Sequence, residues 1–215
     1  PRHLNEYVSL DVEMGFISGH EDLMDLETGL LSHIFAAVAE RNAADLDAFG
    51  ATVPTPDQMA AAPRIDHEEA KRIISERGGK KVFEINPEGE RLLCAWAQET
   101  AGVPAVFVSA FPRKKRPFYT YPEGQKTRSF DLLFRGLEIT TGGQRIHEYG
   151  MLLDTLPKFG LTEEGLGDYC SIFKYGCPPH GGFAIGLERL TQQILGLANV
   201  KEASLFPRDR KRVRP

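Results

Sequence analysis

The stretch from Ser129 to His147 constrains this chain most. It runs Ser-Phe-Asp-Leu-Leu-Phe-Arg-Gly-Leu-Glu-Ile-Thr-Thr-Gly-Gly-Gln-Arg-Ile-His. It reads as a β-strand that carries acids, hydroxyls and a guanidinium into one place. Residues two apart in a strand share a face. Arg135, Leu137 and Ile139 are therefore expected on one side, and Phe134, Gly136, Glu138 and Thr140 on the other. Glu138 lies among apolar neighbours near the strand's end, where burying a carboxylate without a partner is costly. A metal or a bound cation would resolve that cost. Gly142-Gly143 lets backbone approach a ligand, since no Cβ intervenes. Gln144 and Arg145 follow as a hydrogen-bonding amide and a planar fork suited to a carboxylate. The same residues also fit an edge strand with a surface ion pair and a plain Gly-Gly turn, so this stretch alone leaves both uses open.

A second stretch, Pro178 to Leu190, couples a rigid Pro-Pro lead-in to a Gly-rich apolar strand and then a helix start. Apolar residues at 187, 190, 194 and 195 lie on one helical face. Gly186 ends the strand where something must come close. Arg189 falls in the first helical turn, where the helix dipole favours anions. A cation there calls for another partner, either an anionic ligand or, locally, Glu188.

Along the rest of the chain, Tyr7 to Ile17 alternates as a half-buried strand, with Asp11 and Glu13 on its polar face, lining a site or facing water. Residues 21–47 read as one long amphipathic helix with Leu23, Leu26, Leu30, Leu31, Ile34, Phe35 and Val38 on its apolar side. Residues 50–63 read as a loop. Residues 67–77 form a helix closed by Gly78-Gly79, and 87–101 another that buries Leu92, Leu93 and Trp96. Strands over 106–110 and 117–121 flank the basic turn Arg113-Lys114-Lys115-Arg116. Two helices are expected near 147–159 and 163–175. Strands joined by hairpin-like turns, with helices in separate runs, predict an α+β fold with a mainly antiparallel sheet flanked by helices.

Composition sets outer limits. A length of 215 residues suits one domain with a sizeable core. The formal net charge of −4 gives no overall nucleic-acid footprint. The exception is the tail, where Arg208, Arg210, Lys211, Arg212 and Arg214 form a basic cluster suited to solvent or to phosphate. Cys94, Cys170 and Cys177 lack the C-x-x-C spacing of a zinc site and are odd in number, which argues against a disulfide framework and for a reducing compartment. No apolar run reaches membrane-span length, and no signal peptide is seen. There is no G-x-x-x-x-G-K-[ST] and no strand-linked G-x-G-x-x-G, so a bound nucleotide would be held by Arg, Mg²⁺ and stacking rather than by a phosphate-cradling loop.

At this point the residues resemble a known family. Gly-Phe-Ala-Ile-Gly-Leu-Glu-Arg at 182–189 is similar to motif 3 of the class II aminoacyl-tRNA synthetases. The segment from Pro1 to Met14 resembles the loop and second strand of motif 2. Ser129 to His147 looks like the amino-acid-site strand, and Leu205 to Pro215 like the family's C-terminus. The motifs occur in family order, and the likeness is greatest to the aspartyl-tRNA synthetases of archaeal and eukaryotic type. Because the chain begins inside motif 2, residues 1–215 are expected to be the C-terminal portion of a class II catalytic domain. Motif 1, the Arg that opens motif 2 and the N-terminal anticodon-binding domain would lie outside it.

The resemblance implies ATP-dependent ligation of L-aspartate to tRNA through an aspartyl-adenylate. Arg2 and His3 would contact the ATP phosphates, with Leu4 beside them. Tyr7 would stack on adenine, and Arg189, with Gly186, Leu187 and Glu188 around it, would cover the other face and reach the γ-phosphate. Glu138, with Asp131 and Thr141, would hold Mg²⁺; Thr141 stands where the family usually has Ser. Arg145 would clamp the aspartate side-chain carboxylate, with Gln144 and His147 shaping the same wall, while His180 would order its loop or touch the amino acid. The resemblance further implies the tRNA acceptor end as partner, a homodimer in the full-length protein, no membrane association and a cytoplasmic location. Competing readings are an asparaginyl-tRNA synthetase, a synthetase-like amide-forming enzyme that does not use tRNA, and a non-catalytic paralogue.

Overall fold

The computed structural model describes residues 2–214. Pro1, the first residue of the motif 2-like segment, and Pro215 lie outside the described residues. The first alternating segment forms β1 (Ser9–Gly15). The helix expected over 21–47 is instead two, α1 (His20–Arg41) and α2 (Ala43–Phe49), because Asn42 leaves helical geometry at φ −123° and ψ 27°. Leu23, Leu31 and Phe35 of α1 are buried, but Leu26 is exposed.

The segment expected to be a loop over 50–63 contains a short helix, α3 (Pro56–Ala60). Its start carries a reciprocal cap: Thr55 Oγ accepts from the Gln58 amide while the Gln58 side chain accepts from the Thr55 amide, and Pro56 sits at the first helical position. A further strand, β2 (Arg64–Asp66), follows, then α4 (His67–Gly78), closed by Gly79 at φ 67°. Helix α5 (Pro87–Ala101) has its expected bounds, capped by Asn86, although Trp96 is only half-buried.

After β3 (Ala105–Ser109), the basic residues Arg113–Lys115 form a 3₁₀ turn. The strand expected over 117–121 is absent: Thr120 N–H closes a turn onto the Pro117 carbonyl, leaving a single bridge from Thr120 to Arg145. A small hairpin of β4 (Pro122–Glu123) and β5 (Lys126–Thr127) takes its place.

The stretch Ser129 to His147 is a hairpin rather than one strand. Strands β6 (Ser129–Phe134) and β7 (Leu137–Arg145) meet at Arg135 (φ 49°) and Gly136 (φ 84°), the positive-φ pair that tight hairpins favour. The pairing also slips: Leu133 faces Glu138, but Leu132 faces Thr140, so Ile139 is an extra residue in β7. Such a bulge reverses the alternation beyond it. Glu138 therefore shares a face with Thr141 and Asp131, not with Thr140 as strict alternation predicts.

Helix α6 (Tyr149–Thr155) tightens into a 3₁₀ turn over Leu156–Phe159, where Pro157 lacks the N–H for an α-type bond. A 3₁₀ turn over Glu164–Leu166 precedes α7 (Gly167–Lys174). The chain then forms β8 (His180–Gly186) and α8 (Leu187–Leu195).

Among the described residues the main sheet has six strands in the order β1-β8-β7-β6-β3-β2. All its pairs are antiparallel except β2 with β3, so the fold is the expected α+β type with one parallel edge. Helix α1 covers one face, where Leu23, Leu31 and Phe35 pack against Phe130, Leu132, Phe134, Phe183 and Ile185. Helices α4 and α5 cover only part of the other face, over β3 and β6. On that side β7, β8 and β1 stay open.

One acid is buried on the α1 side. Glu27 is fully buried and neither carboxylate oxygen meets a hydrogen-bond partner; the Thr140 hydroxyl is its polar neighbour. Burial pushes its carboxyl up to about 8, only partly opposed by Thr140. A folded-state value above the unfolded one makes the folded chain the better proton binder between the two. Stability is then full below the ordinary value of 4.5 and falls as pH rises toward about 8. We predict that thermal melts of the unsubstituted protein lose on the order of a few kcal/mol across that window, while Glu27→Gln loses less and keeps only the shallower fall that the raised Asp131 contributes. Parallel melting curves for the two would show that Glu27 is not a buried titrating group.

Candidate active site

The open face of β7, β8 and β1 carries two adjoining cavities. The first, about 370 Å³, is lined by Arg2, His3, Leu4, Tyr7, Glu138 and Arg189, among others. The second, about 490 Å³, is lined by Asp11, Glu13, Arg116, Tyr119, Gln144 and Arg145, among others. Thr141 of β7 and Ala184 of β8 border both. They are paired neighbours in the sheet, so the wall between the cavities is a single cross-strand row.

In the first cavity both arginines are already held. Arg189, in the first turn of α8, donates through Nη1 to the Glu138 carbonyl at 2.8 Å and to its carboxylate at 3.3 Å. The expected conflict with the helix dipole is thus met by Glu138, not by Glu188. Glu188 instead accepts the Val8 N–H on both oxygens, and the Leu187 N–H bonds the Val8 carbonyl; together they fasten α8 to the segment before β1. Gly186 and Glu188 line the cavity, whereas Leu187 is not among its lining residues. Arg2 makes two bonds of 2.8 and 2.7 Å to Glu90 of α5, which also accepts the Glu138 N–H. Tyr7 stands on the rim with its ring largely exposed.

Asp131 lies behind Glu138 on the same face. It pairs with Arg116 at 2.8 Å, and its Oδ1 is buried without a hydrogen-bond partner. Burial drives its carboxyl up to about 6, against the pull of Arg116 and with the repulsion of Glu138. Arg116 is itself stacked 3.7 Å from the Phe111 ring centroid. Arg116 is the cation of the basic turn that pairs with Asp131, while Lys114 and Lys115 border a neighbouring cavity that also reaches Asp131 and Glu138.

In the second cavity Arg145 is paired with Glu13 and lies 5.3 Å from the Tyr119 ring centroid. Gly142 and Gly143 line this cavity and also serve the close packing of the sheet. They fall inside β7, and a Cβ on Gly142 would come within 2.6 Å of Phe130 and on Gly143 within 2.8 Å of the Arg128 carbonyl. A Cβ on Gly182 would meet the Glu13 carboxylate carbon at 2.6 Å. The bare row Gly182–Gly143 is what lets Glu13 lie across the sheet toward Arg145. Gln144 is buried and accepts from Arg128, and His147 stacks on Tyr121. His180 Nδ1 sits 3.0 Å from the Pro178 carbonyl, an arrangement that orders the loop.

A sequence model described as tRNA synthetases class II (D, K and N) matches residues 1–210. The chain belongs to this family. It is 54% identical to the aspartate–tRNA(Asp/Asn) ligase of Thermus thermophilus, over all of this chain and 51% of that one. Among solved structures, it superposes on the aspartyl-tRNA synthetase of Entamoeba histolytica with a TM-score of 0.90 at 31% identity, covering 100% of this chain and 45% of that one. It is also similar to the asparaginyl-tRNA synthetase of the same organism, with a TM-score of 0.89 at 28% identity and coverage of 100% and 50%. The chain spans about half the length of the curated relatives it matches. In this class II core the motif 2-like strand β1 and the motif 3-like strand β8 pair directly along their lengths.

The structure gathers Arg2, His3, Leu4, Tyr7, Glu138, Thr141, Gly186, Glu188 and Arg189 around one cavity and Gln144 and Arg145 around the other. The sequence did not reveal Glu90 or Arg116 as the partners of Arg2 and Asp131. Glu13 was flagged only by its place on the polar face of an alternating strand. Of the basic tail, Arg208 is tied to Glu6 at 2.9 Å. Because Arg116 and Asp131 are both nearly enclosed, Arg116→Ala should leave a buried charge uncompensated and cost about 3–5 kcal/mol in urea denaturation. A loss below ~1 kcal/mol would mean that solvent already screens the pair.

Proposed function

We propose that the protein activates L-aspartate with ATP and transfers it to the acceptor end of tRNA. The observation that carries this reading is the junction of the two cavities at Thr141 and Ala184, with Glu138 and Arg189 on one side and Arg145 on the other. ATP in the first cavity and aspartate in the second would meet over that row. An oxygen of the aspartate α-carboxylate attacks the α-phosphorus, the bond to the bridging oxygen breaks, and pyrophosphate leaves. Both reactants are anions, so the site must neutralise charge and fix geometry; no side-chain nucleophile is required.

Arg2, His3 and Arg189 supply the positive and hydrogen-bonding groups around the phosphates, with Leu4 beside them. Gly186, Leu187 and Glu188 form the backbone that presents Arg189. Arg189 combines charge with a flat face, and Tyr7 offers the opposing ring for adenine. The oxygens of Glu138, Asp131 and Thr141 fit Mg²⁺: all are hard donors, Asp131 Oδ1 is buried without a partner, and few carboxylates leave positions for phosphate oxygens and water. When bound, the ion neutralises charge on the phosphates. Arg145 reads the aspartate side chain, exchanging Glu13 for the substrate carboxylate, and Gln144 closes that wall. The reading carries with it a homodimeric, cytoplasmic protein.

The asparaginyl reading is kept alive by the similar solved structure, and Arg145 argues against it. Asparagine would set an NH₂ against a guanidinium, two donors facing each other in a desolvated pocket. A site built to pair one polar group rejects the mismatched analogue by about 10⁴–10⁵. In the protein at its full natural length, Arg145→Leu and Arg145→Lys should both cut kcat/KM for aspartate steeply in amino-acid-dependent ATP–pyrophosphate exchange, with little change in KM for ATP. Preference of the unsubstituted protein for asparagine, or intact aspartate activation by Arg145→Leu, would overturn the assignment. A second substitution tests the phosphate side. Glu138→Gln should lower exchange by about 2.7–4 kcal/mol in transition-state terms, most visibly at limiting Mg²⁺.

A further inference from the structure

The 3₁₀ turn Arg113–Lys115 has a second side, away from the site. There Pro112, Arg113, Lys114, Gln125, Lys158 and Phe159 line a separate concavity of about 580 Å³. None of its three cations is held in an ion pair, although Lys114 also borders the cavity that contains Glu84. Elsewhere on the same turn the pattern is the opposite: Lys115 is paired with Glu84 and Arg116 with Asp131. Nearby Lys126 and Arg128 are paired with Asp66 and Glu123. Among the described residues, no acid lies within ion-pair distance of Arg113, Lys114 or Lys158. Cations concentrated without counter-charge raise the local potential and favour an anionic partner.

The concavity is built from three elements that brace one another. The Arg113 N–H bonds the Gln125 carbonyl at the tip of the β4–β5 hairpin, and its guanidinium bonds Thr155 Oγ at 2.8 Å, at the end of α6. Lys158 and Phe159 follow on the 3₁₀ turn that continues α6. The charge is thus paired with a flat apolar floor, Phe159 and Pro112, and with the Gln125 amide. A bare phosphate would use only the cations. A nucleotide unit of a single strand uses all three, with its phosphodiester on the cations, its base on the ring and its edge on the amide.

We propose that this concavity is a binding site for a phosphodiester and adjoining base of a single-stranded RNA segment. On the function proposed above, that segment belongs to the tRNA on its way to the active site. The turn itself links the two places, because Arg113 and Lys114 face the concavity while Arg116 holds Asp131 in the site. None of the three cations Arg113, Lys114 and Lys158 lines either cavity assigned to ATP and aspartate.

The test uses the full-length protein and a tRNA(Asp) transcript, with binding followed by fluorescence anisotropy across a salt series and aspartate-dependent pyrophosphate exchange measured alongside. The double variant Lys114→Gln/Lys158→Gln alters two exposed side chains and leaves the Arg113–Thr155 bond intact. It should weaken tRNA binding several-fold and lower the slope of log affinity against log salt by about 1 for each lysine, with exchange unchanged. Phe159→Leu should weaken binding with the salt slope unchanged, since it removes stacking rather than charge. An unaltered tRNA affinity and slope in the double variant would overturn the site. So would a parallel fall in exchange, which would place the cations in the adenylate chemistry. Loss of inorganic pyrophosphate binding with tRNA binding intact would make the concavity a free-phosphate site instead. Absence of any aspartate-dependent exchange in the unsubstituted protein would sink the proposed function separately, and the anisotropy comparison would still decide the RNA site.

Discussion

Ile139 has no partner across the hairpin, and much of the candidate site's geometry depends on that mismatch. Without the extra residue, β7 would alternate strictly. Glu138 and Thr140 would then share a side, and Thr141 would point into the core beneath α1. With it, Glu138 and Thr141 share a face with the buried Asp131, while Ile139 and Thr140 both go inward. The bulge therefore gathers three hard oxygen donors from the two strands of one hairpin. It also sets Thr141 beside Ala184, and that pair divides the two cavities.

The resting site is a set of internal ion pairs: Arg2 with Glu90, Arg189 with Glu138, Arg145 with Glu13 and Arg116 with Asp131. An isolated buried cation would be costly to hold, and a free surface one would sample many rotamers. Pairing each guanidinium with a carboxylate from a different element fixes its position while leaving the pair exchangeable. The pairs differ in depth. Arg145 and Glu13 are both appreciably exposed, so water screens them and the pair can open to another carboxylate. Arg116 and Asp131 are nearly enclosed, so that pair belongs to the scaffold of the site.

Much of the fold was legible because its signals are local. Asn86-Pro87 and Gly102 bracket α5 with an N-cap, a first-turn proline and a left-handed stop, and both ends were read correctly. The alternation of β1 and the apolar face of α8 were equally plain. What escaped notice was either brief or distant. The Thr55–Gln58 cap marks a helix of only five residues, too short for periodicity to register. The break at Asn42 interrupts an apolar stripe that runs on through Leu46, so periodicity alone joins α1 to α2. The hairpin turn at Arg135-Gly136 was passed over because the apolar pattern continues on both sides of it. The bulge leaves no composition signature at all. Partners such as Glu90 for Arg2 and Glu13 for Arg145 are separated by 88 and 132 residues, and only the sheet order brings them together.

That sheet order also explains why the site lies where it does. Helices α4 and α5 connect β2 to β3, the two strands that run parallel, and a parallel connection must cross a face of the sheet. The crossover deposits both helices over β3 and β6, where Val106, Val108 and Leu133 meet Ile73, Ile74 and Leu93. The antiparallel half, β7-β8-β1, includes no such crossover on that side, so its face remains free for side chains with chemistry. Glu90 stands at the border between the two halves. It projects from the covering helix α5, binds Arg2 and accepts the backbone N–H of Glu138. One carboxylate thereby ties the apolar layer that stabilises the sheet to the strand that carries Glu138 and Thr141.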